Sequence, residues 1–307
     1  MKPSTGAIRA QEFPADRVRV VLPFPAGGAS DTITRLVTSR LAVRWKQPVV
    51  VENKAGASGV VGSEFVARAR ADGYTLLVTT GSHTSNPVTL KSLPYDTERD
   101  FVPITILADT PFALVGSTSA GFDTAEKFLA AARAKPGQFA FGSSENTSRL
   151  VGELFRPRAD LQLRAVPYKG AAPMLQDLAG GHIPVGFTTP LSAISLHRAG
   201  SAKILAITSD RRLTVLPEVP TMQEVGVSGV TYRIWFSLFG PAGLPPALAS
   251  KIREDVVAVL AEPEVVARIR ELAGEPGGEA PDALAGRIRR ELATWRETAR
   301  VAGIEPE

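Results

Sequence analysis

The 307-residue chain has no cysteine, which excludes disulfide frameworks, thiolate zinc sites and cysteine nucleophiles. This absence leaves the redox compartment open. Histidine is nearly as scarce. His83, His182 and His197 are too far apart for two of them to share a helix face at i,i+4 spacing, so no metal site is expected. No window approaches the ~18 consecutive apolar residues of a membrane-spanning helix. The segment from Met1 to Glu12 is polar and lacks the apolar core of a signal peptide. An excess of one charge is missing too: 35 basic residues against 31 acidic ones leave +4. Much of that excess is scattered along helix-like stretches such as Arg268 to Arg270 and Arg287 to Arg290. Without a basic stripe interleaved with aromatics, a nucleic-acid partner is not expected.

Apolar residues make up 44% of the chain, enough for sizeable cores, and the length suits two domains. Gly (27) and Pro (24) are above their usual share, which implies many loops and argues against a helical bundle. Short β-rich runs alternate with amphipathic segments. Val18 to Leu22 reads as a strand, followed by a helix whose apolar positions Ile33, Leu36, Val37 and Leu41 follow helical spacing. Pro48 to Val51 and Tyr74 to Thr79 read as further strands, giving a βαβα order that predicts a parallel sheet.

The pattern restarts after residue 100. Phe101 to Leu107 and Phe112 to Val115 are strand-like, and Asp123 with Glu126 has capping-box spacing before a helix. Phe139 to Phe141, Arg164 to Val166, Val185 to Phe187 and Lys203 to Thr208 then interleave with short helices. After a last β-rich run, Tyr232 to Phe239, the chain is helical. Its apolar stripes are Leu248, Ile252, Val256, Val259 and Leu284, Ile288, Leu292, Trp295.

Three strand-to-helix loops could carry chemistry. Ala26-Gly27-Gly28-Ala29 lies directly before a helix whose first turn holds Ser30, Asp31 and Thr32. Free N–H groups and the positive end of the helix dipole make such a start an anion cradle, and glycines let a ligand approach the backbone. The sequence has no P-loop lysine and no G-x-G-x-x-G, so a nucleotide is poorly supported. Spacing alone weighs the cradle equally against a tight connection with Ser30 as N-cap. The second loop, Gly142 to Ser148, offers hydroxyls at Ser143, Ser144, Thr147 and Ser148 and the amide of Asn146, which suit a carboxylate or simple helix capping. The third, Gly81-Ser82-His83-Thr84, follows the third strand at the sheet edge where open α/β sheets bind ligands. Catalytic constellations are weak. There is no G-x-S-x-G elbow and no evident carboxylate pair; Lys169 could meet an anion, but a loop lysine is usually just solvated.

Seven short motifs in register are similar to those of the Bug family of solute-binding proteins, the extracytoplasmic receptors of tripartite tricarboxylate transporters. They are Pro23 to Gly28 with Asp31, Pro48 to Gly56, Asp72 to Leu77, Leu93 to Asp96, Val166 to Gly170, Leu216 to Thr221 and Gly240 to Gly243. The resemblance runs from about Phe13 to Glu307. It implies an α/β, two-lobed periplasmic-binding-protein fold of type II that traps a small carboxylate as its lobes close, with no cofactor and no covalent chemistry. It also implies ligand contacts from Phe24, Ala26, Gly27, Gly28, Ala29, Ser30 and Asp31, from Gly81, Ser82 and His83, from Ser143, Ser144, Asn146 and Thr147, and from Phe187 and Thr188.

Two departures bear on the ligand. The second-lobe loop, Gly-rich in many members, is interrupted by Glu145 and Asn146. The position where amino-acid-binding members carry an aspartate is Thr188. A carboxylate without an amine, mono- or dicarboxylic with an aromatic or hydroxylated body, is therefore expected unless Glu145 supplies the missing charge.

The expected lobes are 1–106 plus 233–307 and 107–232, joined by crossings near Leu107–Thr110 and Ile234–Phe236. The expected role is capture of the carboxylate by a periplasmic monomer and its delivery to the transporter's membrane subunits. The export signal is expected to have been removed, with Ala10-Gln11 near the start of the exported chain and the Met1 segment a remnant. The same scaffold suits docking on a sensor kinase. The alternative from another class is an α/β enzyme acting on a small carboxylic acid, with His83 as its base.

Overall fold

The computed structural model describes residues 13–306, and the expectations about Met1 to Glu12 lie outside them. The chain begins with β1 (Val18–Leu22), α1 (Ala29–Trp45), β2 (Val49–Asn53), α2 (Val60–Ala67), β3 (Thr75–Thr79), α3 (Ser82–Thr89) and the long β4 (Phe101–Pro111). A second unit follows with β5 (Ala113–Ser117), α4 (Ala125–Ala134), β6 (Phe139–Ser143), α5 (Asn146–Arg158), β7 (Leu163–Pro167), α6 (Ala171–Ala179), β8 (Val185–Thr188), α7 (Pro190–Ala199) and β9 (Ala202–Ile207). The chain returns through β10 (Arg233–Pro241) and ends with α8 (Pro246–Leu260), α9 (Pro263–Glu271), β11 (Glu275–Pro276) and α10 (Pro281–Ala302).

The first sheet has the order β11-β4-β10-β3-β1-β2 and the second β7-β6-β8-β5-β9. The βαβ units behave as the periodicity predicts: β1 runs parallel to β2 and β3, and β6 parallel to β7 and β8. The sheets are mixed, however. β10 is antiparallel to both β3 and β4, and β5 is antiparallel to β8 and β9. The reason is connectivity. β4 carries the chain out of the first sheet and β10 brings it back, so the two meet head to tail without a crossover helix between them.

The chain crosses at the ends of β4 and β10, beside the expected Leu107–Thr110 and Ile234–Phe236. Pro111 still pairs with Arg233 inside the first sheet, so the chain leaves after Pro111 and re-enters at Arg233. Thr208, just beyond β9, joins the two crossings. Its Oγ1 accepts the Phe112 N–H at 2.9 Å and donates to the Tyr232 carbonyl.

Helix α1 buries Ile33, Val37, Leu41 and Trp45, one residue per turn, against the first sheet and α8. Asp255 of α8 accepts from Arg44 and Trp45 and fixes that contact. In α4 the N-cap is Thr124, which accepts from Lys127 N, while Asp123 ion-pairs with Lys127 Nζ instead of capping. Helix α10 spans both cores. Leu284, Ile288 and Leu292 pack with Val21, Leu77 and Trp235 of the first sheet, whereas Trp295 and Ala299 join the core of the second. The segment after 233 therefore starts on the first lobe and ends against the other.

Candidate functional site

A cavity of about 500 Å³ opens between the two sheets. Its walls come from loops at the carboxyl ends of the strands, as the connectivity of open α/β sheets dictates. Phe24, Ala26 and Ser30 follow β1, Ser58 follows β2, and Thr80 and Ser82 follow β3. From the second sheet come Ser144, Glu145 and Asn146 after β6, Lys169 to Pro173 after β7, Thr188 at the end of β8, and Thr189 and Ser192 after it. Ile234 and Phe236 of β10 form an apolar part of the wall.

Five helices, α1, α3, α5, α6 and α7, bring their first turns to this one cavity. The first N–H groups of any helix have no intrahelical acceptor, and here they surround a shared space. Gly28, Gly81 and Gly170 are the N-caps of α1, α3 and α6 and have no side chain to cap with; Thr189, N-cap of α7, makes no capping bond either. Helices α7, α8, α9 and α10 each start with a proline that has no N–H to satisfy, so the uncapped starts that keep their first N–H at the cavity are those of α1, α3 and α6.

The first loop is held from behind by Asp31. Its carboxylate accepts from Gly27 N, Arg35 Nε and Asn53 Nδ2, each at 3.0 Å, and Asn53 Nδ2 also donates to the Phe24 carbonyl. Burial raises this carboxyl, but the hydrogen bonds from Arg35, Gly27 and Asn53 outweigh it and hold Asp31 below the usual carboxylate range. Glu145 contrasts with Asp31. Burial alone acts on it and pushes its carboxyl up to about 7.

Of the residues expected to touch a ligand, Phe24, Ala26, Gly28, Ala29, Ser30, Ser82, Ser144, Asn146 and Thr188 line the cavity. Gly27, Asp31, Gly81, His83, Ser143, Thr147 and Phe187 do not. Gly27 and Asp31 form the brace just described. Gly81 packs so closely against Tyr232 and Thr147 that a Cβ would lie 2.7 Å from the tyrosine oxygen, and Thr147 Oγ1 is 3.2 Å from Ser85 Oγ. Strand alternation separates Phe187 from Thr188: the ring enters the core against Phe141 and Phe155 while Thr188 reaches the cavity. Ser143 ends β6 in a fully paired position.

His83 requires the clearest correction. It is 1% exposed and lies among Tyr95, Phe101, Trp235 and Phe239, with Nε2 3.2 Å from the Thr97 carbonyl. Desolvation lowers its pKa to about 4, so it is a neutral core residue and not a base in the cleft.

The cavity also includes Lys169, weighed above as an anion contact or a solvated lysine, and residues that spacing did not single out: Ser58, Thr80, Thr189, Ser192, Ile234, Phe236 and the run Gly170 to Pro173. A signal for that run is present. Gly170 stands between a strand and a helix just as Gly28 does, and its φ of +111° is one that favours glycine.

The sequence model of the tripartite tricarboxylate transporter family receptor matches residues 33–297. BugT of Bordetella pertussis is 32% identical over 97% of this chain and 93% of its own length. A Rhodopseudomonas palustris protein solved with adipate superposes with a TM-score of 0.88 at 32% identity, covering 96% of this chain and all of that one. MatC from Rhodopseudomonas palustris, solved with bound malate, gives a TM-score of 0.81 at 28% identity over 93% of this chain and 99% of its own.

Proposed function

This chain belongs to the receptor family of tripartite tricarboxylate transporters, and from that premise we propose that it captures a small carboxylate between its two sheets for delivery to such a transporter. The family and its structural neighbours are solute-binding proteins rather than enzymes. In this reading the protein works in the periplasm, binds its ligand as a monomer and hands it to the membrane subunits without chemical change. Among the described residues no helix is long and apolar enough to cross a membrane.

The observation that carries the reading is the convergence of five helix starts on one cavity. An anion entering such a space loses its hydration and must recover it from fixed donors. First-turn N–H groups and the hydroxyls of Ser30, Ser82, Ser144 and Thr188 provide them, and Lys169 is the only cation among the described lining residues. Hydrogen bonds to a charged group contribute about 1.5–3 kcal/mol each, so a few offset the desolvation of one carboxylate. Phe24, Ile234 and Phe236 give its carbon body an apolar wall. Closure would bend the chain at its two crossings, after Pro111 and before Arg233.

A thermal-shift screen of the full chain against mono- and dicarboxylates, with adipate and malate included, tests the reading. A ligand at ~100 times its dissociation constant stabilises by about 2.7 kcal/mol, a plainly visible rise in melting temperature. Mass spectrometry of the recovered ligand should show it unchanged. A panel in which no carboxylate raises the melting temperature would sink the proposal.

A further inference from the structure

Glu145 is the N-cap of α5 and lines the cavity. Its contacts with Ser148 are the reciprocal ones of a capping box, in which Ser148 Oγ accepts the Glu145 N–H at 3.0 Å. No described cation lies within ion-pair distance of its carboxylate. Lys169 lines the same cavity on the loop after β7 without pairing to it, and Arg149, one turn along α5, has interactions of its own. On the side of β10 and α10, Glu145 adds to the negative field around Tyr232, whose phenol stays protonated. The acid beyond it, Glu291, is engaged by Trp235, Thr84, Arg287 and Tyr232. Glu145 is thus a carboxylate set into the wall of an anion-binding cavity, held at the start of α5 by Ser148 and paired to no cation among the described residues.

We propose that Glu145 makes this receptor selective for small carboxylates that also carry an ammonium group. The ligand's carboxylate would meet the helix starts of the first loop and its cation would meet Glu145. This rests on the carboxylate-receptor reading above and narrows its ligand class. A second carboxylate against Glu145 would place two anions in one desolvated space, whereas an ammonium group there balances the buried charge. The apolar wall of Phe24, Ile234 and Phe236 keeps water from screening the pair. Thr188, taken alone, speaks against an amine; Glu145, across the loop from it, supplies the anion that Thr188 lacks. Ser144 Oγ, 3.4 Å from Thr188 Oγ1, lies between the two loops.

Isothermal titration of the full chain with paired ligands at pH 6 and pH 8 tests the assignment. Suitable pairs are aspartate with methylsuccinate, glycine betaine with 3,3-dimethylbutanoate, and 5-aminopentanoate with hexanoate. For the pair that fits the cavity, the ammonium-bearing member is expected to bind about tenfold tighter at pH 8. The advantage should shrink at pH 6, where Glu145 takes up its proton, by up to about tenfold per unit below its pKa. Glu145→Gln should bring the two members to within about twofold of each other.

Equal or tighter binding of the members without an amine overturns the proposal. Diacid binding that strengthens towards pH 6 in the wild type but not in Glu145→Gln also overturns it, because Glu145 would then be donating a proton to a second carboxylate. If Glu145→Gln does not fold, the wild-type pH profiles still decide. Carboxylates that bind with a preference insensitive to Glu145 remove this inference alone, whereas failure of every acid to bind removes the receptor reading with it.

Discussion

Asp31 accepts the backbone N–H of Gly27 at 3.0 Å, so a side chain on the first turn of α1 fixes the loop that precedes that helix. The same carboxylate takes bonds from Arg35 and Asn53 and so ties α1 to the end of β2. Asp31→Ala should therefore loosen the loop without removing a wall of the cavity. The expected loss is about 1–3 kcal/mol in urea denaturation. The share belonging to Arg35 is at the low end, because that side chain is half exposed and water replaces what it loses. Carboxylate affinity should fall with stability, and Asp31→Asn should be milder. Wild-type affinity in Asp31→Ala would show that the loop holds its shape unaided.

Two glycines in the cleft loops should rank in a definite order. Gly27 has φ +86° and Gly170 φ +111° with ψ 172°, and a Cβ at either would meet nothing within 4 Å. The cost of Gly→Ala at these sites is thus one of backbone conformation and not of collision. Gly27→Ala should lose about 1–2 kcal/mol, the cost of a left-handed residue. Gly170→Ala should lose more, up to about 3 kcal/mol, because its dihedrals lie in a region almost reserved for glycine. Denaturant midpoints on the two variants check the order, and a smaller loss at Gly170 contradicts it.

Much of this architecture is legible in the residues. The strand-glycine-helix grammar marks three of the cleft loops, and the stripes Leu248 to Val259 and Leu284 to Trp295 are all buried. Periodicity could not reveal the pairing partner of each strand. The antiparallel β4–β10 pair joins residues more than a hundred positions apart, and only the assembled sheet fixes where the chain crosses. His83 shows the limit at the site. A histidine in a polar loop reads as a ligand contact, yet α3 starts at Ser82 and turns the ring away from the cleft into an aromatic cluster. Ile234 and Phe236 reach the cavity through tertiary placement, which no local pattern announces.

Glu291 should be one of the costliest polar residues to remove. It accepts from Trp235 Nε1 at 3.0 Å, Thr84 Oγ1 at 2.9 Å and Arg287 Nε at 3.1 Å, joining α10 to β10 and α3 beside the chain crossings. Burial raises its pKa, and Arg287, Trp235 and Thr84 recover only part of that shift. Glu291→Ala strands Trp235 Nε1, leaves Thr84 Oγ1 only the Gly81 carbonyl and leaves Arg287 to Asp109 and Glu279. A loss of about 3–5 kcal/mol is expected, the cost of breaking a buried pair from one side. Glu291→Gln should lose less, since it keeps acceptors for Trp235 and Thr84. A loss below about 1 kcal/mol in Glu291→Ala, an ordinary surface value, would mean that water reaches the site.

His83 should make the fold acid-sensitive. Its folded pKa of about 4 lies below the ordinary 6.5, so on acidification the unfolded chain takes up the proton first. The stability contributed by the neutral ring is complete above pH 6.5 and is lost as the pH falls towards 4, by about 3 kcal/mol in all. Glu145 acts in the opposite sense. With its folded pKa raised to about 7, its contribution is complete below pH 4.5 and is lost as the pH rises through 7. The wild-type curve alone therefore mixes the two, and the useful quantity is the difference between wild type and His83→Gln. That variant loses ring packing at every pH, which offsets its curve by a constant. What should change with pH is the gap: wide in favour of wild type at pH 7.5 and narrowing by about 3 kcal/mol towards pH 4. Urea denaturation across this range measures it. A constant gap would show that His83 is protonated in the folded protein as readily as in the unfolded chain.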